Sequence, residues 1–113
     1  MARSPDNFVI NTQLSTTAAS LHTPTASGES SIIRKLSFYN SNTTTSREVT
    51  VYMVESSGTA GTTNTLVKRT IPPLKVWNCV EAQGEVLEFG MSLQADQDTG
   101  ADVNVNCSGT RAV

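Results

Sequence analysis

The sequence predicts an all-β domain, an antiparallel β-sandwich or jelly-roll-like barrel of about eight short strands, and three observations lead there. Apolar residues recur with a period of two along nearly every segment, and no segment carries the 3.6-residue stripe of a helix. Ser, Thr and Asn supply about a third of the chain, while strong helix formers are thin between the glycines and prolines. Turn signals return at the spacing that short consecutive strands require. The 113 residues suit one domain with one core, and the recurring Val, Ile and Thr separate the chain from disordered sequences of similar polarity. The expected organisation is an N-terminal arm or edge strand over residues 1–17 and a single sandwich domain over residues 18–113.

Residues 7–17 (NFVINTQLSTT) set Phe8, Ile10 and Leu14 among polar neighbours, the alternation of a half-buried strand interrupted at Thr12. Residues 19–24 are a short strand closed by Pro24, and residues 25–29 are a turn. The strongest strand spans residues 30–40. Its even positions carry Ile32, Leu36 and Phe38 around Arg34, and its odd positions carry Ile33 and Tyr39 around Lys35. Such a strand either has one face in the core and the other covered by a neighbour, or is a twisted strand with apolar residues dotted over its outer face.

A polar turn at 40–46 leads to residues 47–55 (REVTVYMVE), where Val49, Val51 and Met53 alternate with Thr50, Tyr52 and Val54. Residues 56–64, rich in Gly and Ser, form a loop too long for a tight turn. It is either a mobile tip that orders on contact or a simple linker. Residues 65–71 and 74–80 are strands separated by the Pro72-Pro73 bend, and 84–89, 91–95 and 102–108 supply three more. The expected core holds Leu36, Phe38, Val49, Val51, Met53, Val103 and Val105, with Cys107 on the same inward face as the last two.

The residues offer little catalytic chemistry. His22 is the single histidine, with no acid or nucleophile beside it in sequence. Cys79 and Cys107 lack a CxxC or His-rich partner pattern, so neither zinc nor a reactive thiol is expected, and at most one intramolecular disulfide is possible. Asp96, Asp98 and Asp102 resemble a calcium loop but lack its terminal Glu and flanking helices, which makes an acidic turn the better reading. Gly58 and Gly61 are followed by no phosphate-loop Lys. No catalytic, cofactor or metal site is therefore expected, and the chain is expected not to be an enzyme. A net charge of -2 argues against nucleic acid as a partner, and no stretch is long and apolar enough to cross a membrane. With no signal segment at the N-terminus, synthesis in a cytoplasm is expected. Trp77, Tyr52 and Tyr39 could line a sugar-binding face, the alternative to core and interface roles.

Residues 17–22 (TAASLH), the IIRK strand ending in a polar turn at Asn40, the VTVY strand at 49–52, the Gly- and Thr-rich loop at 58–64 and the GEVLE segment at 84–88 together resemble small β-sandwich virion proteins of tailed bacteriophages. The resemblance implies a non-enzymatic structural protein at the capsid surface, neck or collar, or tail, with copies of itself and other virion proteins as partners and a symmetric homo-oligomer as its working state. The Pro72-Pro73 and Trp77-Asn78-Cys79 region departs from that pattern. Phe8, Ile10, Ile33, Tyr39, Gly58 and Gly61 are the candidate interface residues. The other reading is a carbohydrate-binding sandwich module of a host-recognition apparatus.

Overall fold

The computed structural model describes residues 3–112, so residues 1, 2 and 113 of the two predicted segments lie outside the described residues. Nine strands form: β1 (Arg3–Gln13), β2 (Ala19–His22), β3 (Ser30–Asn40), β4 (Arg47–Val54), β5 (Thr65–Ile71), β6 (Val76–Asn78), β7 (Val86–Glu88), β8 (Ser92–Gln97) and β9 (Val103–Ala112). Two single-turn 3-10 segments, Thr62–Asn64 and Val80–Ala82, sit in the connections. One sheet runs β1-β9-β3-β6, with β7 also on β3, and the second runs β2-β8-β4-β5. All pairings are antiparallel. Because β6 and β7 share one position beside β3, each sheet has four positions, and the chain crosses between sheets in the order of a jelly roll.

The alternation read from the sequence builds the core. Leu36, Phe38, Val49, Val51, Val103 and Val105 are fully buried, and Met53 packs against them at the margin. Ile33, Leu87, Leu93 and Ala95 are among the further residues that fill the space between the sheets. Phe38 stacks on Trp77 with ring centroids 5.2 Å apart.

The two long sides of the sandwich are closed by aromatic rings. On one side Phe8 of β1 stacks on His22 of β2, with ring centroids 3.7 Å apart. On the other, the Arg69 guanidinium of β5 lies over the Trp77 ring of β6 at 5.3 Å and binds the Glu81 carboxylate at 3.0 Å. Asn40, fully buried at the end of β3, ties three chain segments together. Its amide nitrogen donates to the carbonyls of Thr45 and Ile71, each at 3.0 Å, and its oxygen accepts the Asn42 N–H. That one side chain fixes both the 40–46 turn and the approach to Pro72.

Two local irregularities decide which residues reach the outside. In β3 the register shifts between Ile33 and Lys35, so Arg34 is an extra residue and the alternation changes phase. Ile33 then joins Leu36 and Phe38 inside while Ile32 turns outward. In β1 shifts follow Asn7 and Val9, with Asn11 at φ 46°. Phe8, Ile10 and Leu14, predicted to share a face, consequently diverge.

Candidate interaction surface

Among the described residues the exposed large apolar side chains are Ile10, Tyr39, Leu74, Val76, Val80, Val86 and Phe89. Every one belongs to the β1/β9/β3/β6 sheet or to the segments joining β5, β6, β7 and β8. The outward positions of the other sheet are polar at Glu48, Thr50 and Tyr52 on β4, Gln94 and Asp96 on β8, and Lys68 and Thr70 on β5, while Val54, on the same row of β4, is buried. There Lys68 pairs with Glu48, and the Tyr52 hydroxyl donates to Asp96 at 2.8 Å. One sheet thus presents a solvated face, and the other presents apolar groups at its margins.

Those groups occupy both edges. At the β1 edge Ile10, 60% exposed, shares a shallow groove on the outer face with Asn7, Lys35, Ser37, Asn106 and Ser108. Arg34 reaches a second groove beside Pro5, Asp6 and Asn7. At the opposite edge Val76 pairs with Tyr39 and Val86 with Ile32, so these side chains point outward together, and Val80 stands on the turn between β6 and β7. Glu85 and Glu88 flank Val86. The ion pairs among the described residues are Arg47–Asp102, Lys68–Glu48, Arg69–Glu81 and Arg111–Asp6; Arg34, Lys35, Glu85 and Glu88 are among the charged residues that belong to none of them.

The six candidate interface residues separate on this surface. Ile10 and Tyr39 are exposed on the outer face of one sheet. Ile33 is 0% exposed and serves the core, because the Arg34 bulge turned it inward. Phe8 is half-buried and its ring is spent on His22. Gly58 and Gly61 lie in the 56–64 loop, which has internal structure: the Asn64 oxygen accepts the Gly61 N–H at 2.9 Å and its amide donates to the Thr59 carbonyl. The glycines do not join the apolar margins.

The polar candidates are tied up locally. His22 Nε2 lies 2.8 Å from the Ser31 hydroxyl, a pairing invisible in sequence because the two meet across the sandwich. Ser31 is fully buried, so its oxygen faces packed side chains instead of a cleft. Burial lowers the His22 pKa, Glu29 and Asp6 oppose that shift, and Arg111 adds to it. Asp96, Asp98 and Asp102 diverge: the first takes the Tyr52 hydroxyl, the second the Glu48 and Thr99 amides, the third the Arg47 guanidinium at 2.7 Å. That guanidinium holds the Asp102 carboxyl below the usual carboxylate range. No group of three potential metal ligands occurs among the described residues. Trp77, Tyr52 and Tyr39 point into the core, off one sheet and off the other respectively, so they share no platform for a sugar ring. Cys79 and Cys107 are buried and unbonded.

This geometry defines a jelly-roll sandwich with exposed apolar side chains at both edges of one sheet. No protein-family model and no curated protein matches the chain by sequence. Among solved structures it is similar to a subunit of Bacillus endospore appendages, described as disulfide-linked pili, at 14% identity and a TM-score of 0.53, over 98% of this chain and 88% of that one. That likeness establishes a shared fold. A chain of infectious bursal disease virus, Gt strain, aligns at 12% identity over 97% of this chain and 29% of its own, and its TM-score of 0.27 carries no argument.

Proposed function

We propose that the chain is a non-enzymatic structural protein of a tailed-bacteriophage virion, working as a symmetric oligomer with copies of itself and other virion proteins at the capsid surface, neck or collar, or tail. One observation carries the assembly reading: the exposed apolar side chains gather along the margins of a single sheet while the other sheet is polar. A free monomer gains nothing from that asymmetry, whereas a subunit buries it against its neighbour. The virion setting rests on the likeness of the IIRK, VTVY and GEVLE segments to small phage sandwich proteins. The pilus subunit of the same fold adds that this kind of sandwich serves in a polymer, there linked by disulfides. In this chain both thiols are buried, so its contacts are non-covalent.

Sedimentation velocity of the purified chain, and mass spectrometry of purified particles from the source culture with heads, necks and tails separated, test the proposal. A discrete oligomer in solution and enrichment in one subassembly are expected. A monomer at all concentrations, or absence from the particles, overturns it.

A further inference from the structure

We infer that β1 is a strap that opens as a unit about Gln13 while the rest of the sandwich stays folded, and that the stack of Phe8 on His22 is its latch, released by acid. The device works within one chain. Three features of the closed strap carry it.

The first is that the core is complete without β1. Residues 4–13 contribute no buried side chain, and Phe8 and Val9 are half-buried at the margin of the core. Buried apolar residues begin at Leu14. There the chain is pinned: the Leu14 N–H donates to the Val103 carbonyl at 2.8 Å, the Leu14 carbonyl accepts the side-chain amide of buried Gln97, and the Gln97 N–H donates to the Ser15 carbonyl at 3.0 Å. A terminal strand with few buried apolar contacts, hinged on a fixed point, belongs to the low end of local stability.

The second is that its ladder is broken. β1 has a hydrogen-bonded neighbour on one side only, β9. The register shifts between Asn7 and Val9 and again between Val9 and Thr12, so Phe8, Ile10 and Asn11 stand opposite no residue of β9. Asn11, at φ 46°, donates its N–H to the Asn106 side chain at 2.9 Å instead of to a backbone carbonyl.

The third is what holds the strap shut. The Phe8 ring lies 3.7 Å from the His22 ring across the gap between the sheets, and His22 Nε2 is 2.8 Å from the buried Ser31 hydroxyl. The charged groups around the imidazole are Asp6 on β1, Glu29 in the turn before β3 and Arg111 on β9. Arg111 reaches Asp6 at 3.9 Å, a long and exposed ion pair, and its Nε is buried with no hydrogen-bond partner among the described residues. The closed state thus carries an orphaned donor and a titratable ring kept from water. Lifting β1 takes Phe8 off the imidazole and returns the ring to water, where it takes up a proton near its ordinary value of 6.5. In the closed state burial holds the ring below that value, with Glu29 and Asp6 opposing and Arg111 adding. The open strap therefore gains as pH falls through 6.5, and the gain stops at the closed-state value. Opening uncovers the row of backbone donors and acceptors on β9 that β1 otherwise covers.

Residue-resolved hydrogen exchange by NMR on the full chain, from about pH 8 to about pH 5 and with rates divided by their intrinsic values, tests the device. At neutral pH the β1 amides that bond β9 should exchange at least about tenfold faster than the ladder amides of β3 and β4. Their exchange should rise further in step with the titration of His22, the single histidine, followed in the same sample. His22→Gln keeps a hydrogen-bonding group towards Ser31 and cannot titrate, so the acid gain in β1 should vanish while β3 and β4 stay protected. Phe8→Ala should speed β1 exchange already at neutral pH, again with β3 and β4 protected. Equal protection of β1 and β4 in the parent overturns the strap. An acid gain that persists in His22→Gln, or that departs from the His22 titration in the parent, overturns the latch. Slower β1 exchange in acid also overturns it, because the imidazolium would then be held by Phe8, Asp6 and Glu29.

Discussion

Phe8 and His22 lie with their rings inclined by only 10° and their centroids 3.7 Å apart, and this stack joins the edge strand of one sheet to the edge strand of the other. Its second partner, Ser31, holds the imidazole from the core side at 2.8 Å. The side of the sandwich nearest the N-terminus is therefore sealed by a titratable ring.

That ring makes stability depend on pH. Burial lowers the His22 pKa from 6.5, so the fold holds the neutral imidazole, and the unfolded chain takes up a proton first as pH falls past 6.5. The contribution is complete above that value, is lost as pH falls from there towards the lower folded pKa, and then levels off. The melting temperature of the parent should drop more steeply than that of His22→Gln between about pH 7.5 and about pH 5. Parallel curves would assign the titration to another group.

Gly109 is inward-facing on β9, and a methyl group there would lie 2.8 Å from Phe8 Cε2 and collide with the Ile32 carbonyl oxygen. The ring could shift, but the carbonyl belongs to the β3 backbone and cannot. Gly109→Ala should cost about 1–3 kcal/mol, the range for overpacking, measured as a lower urea midpoint at unchanged slope. A neutral result would mean that β9 slides past β3 easily.

Phe38 is fully buried and stacked on Trp77. Truncation to Ala removes a large ring from a core that has few aromatics, and should cost about 3–5 kcal/mol by urea unfolding. Since a domain of this size has only about 5–15 kcal/mol in hand, the variant should be partly unfolded at physiological temperature. Tyr39→Ala, one residue along on the outer face and 37% exposed, should change the midpoint far less.

Burial pushes the Cys79 thiol up to about 11 and the Cys107 thiol up to about 12. Leu36 stands between them, opposite Cys107 in the ladder and accepting the Cys79 N–H at 2.8 Å from the other side. Two strand spacings, about 9–10 Å, exceed the reach of about 7 Å between the Cα atoms of a disulfide. Neither thiol should alkylate in the native protein at about pH 8, and both should in denaturant. Rapid native labelling, or a mass two hydrogens short under non-reducing conditions, would contradict this.

The period-two spacing in 47–55 and 102–108 and the turn signals between them were enough to place β4, β9 and the core valines, because alternation on a strand with one buried face admits a single register. Leu36 and Phe38 followed for the same reason. The sequence of β3 was readable in content but not in phase: IIRKL contains two adjacent isoleucines, and either could face inward until the Arg34 bulge chooses. In β1 two further bulges scattered Phe8, Ile10 and Leu14, which a regular strand would have kept on one side.

What the sequence determined by itself is the class of fold, the identity of the central core residues and the poverty of catalytic groups, all properties of local pattern and composition. What only the tertiary structure decided is where the surplus apolar residues go. Ile10 and Val76 are 66 positions apart in the chain; they stand on opposite edges of one sheet only because β9 and β3 lie between them. His22 meets Phe8 and Ser31 for the same reason. Bulges and long-range strand pairing are settled by the packing of the whole sandwich, and a residue's neighbours along the chain carry no record of that packing.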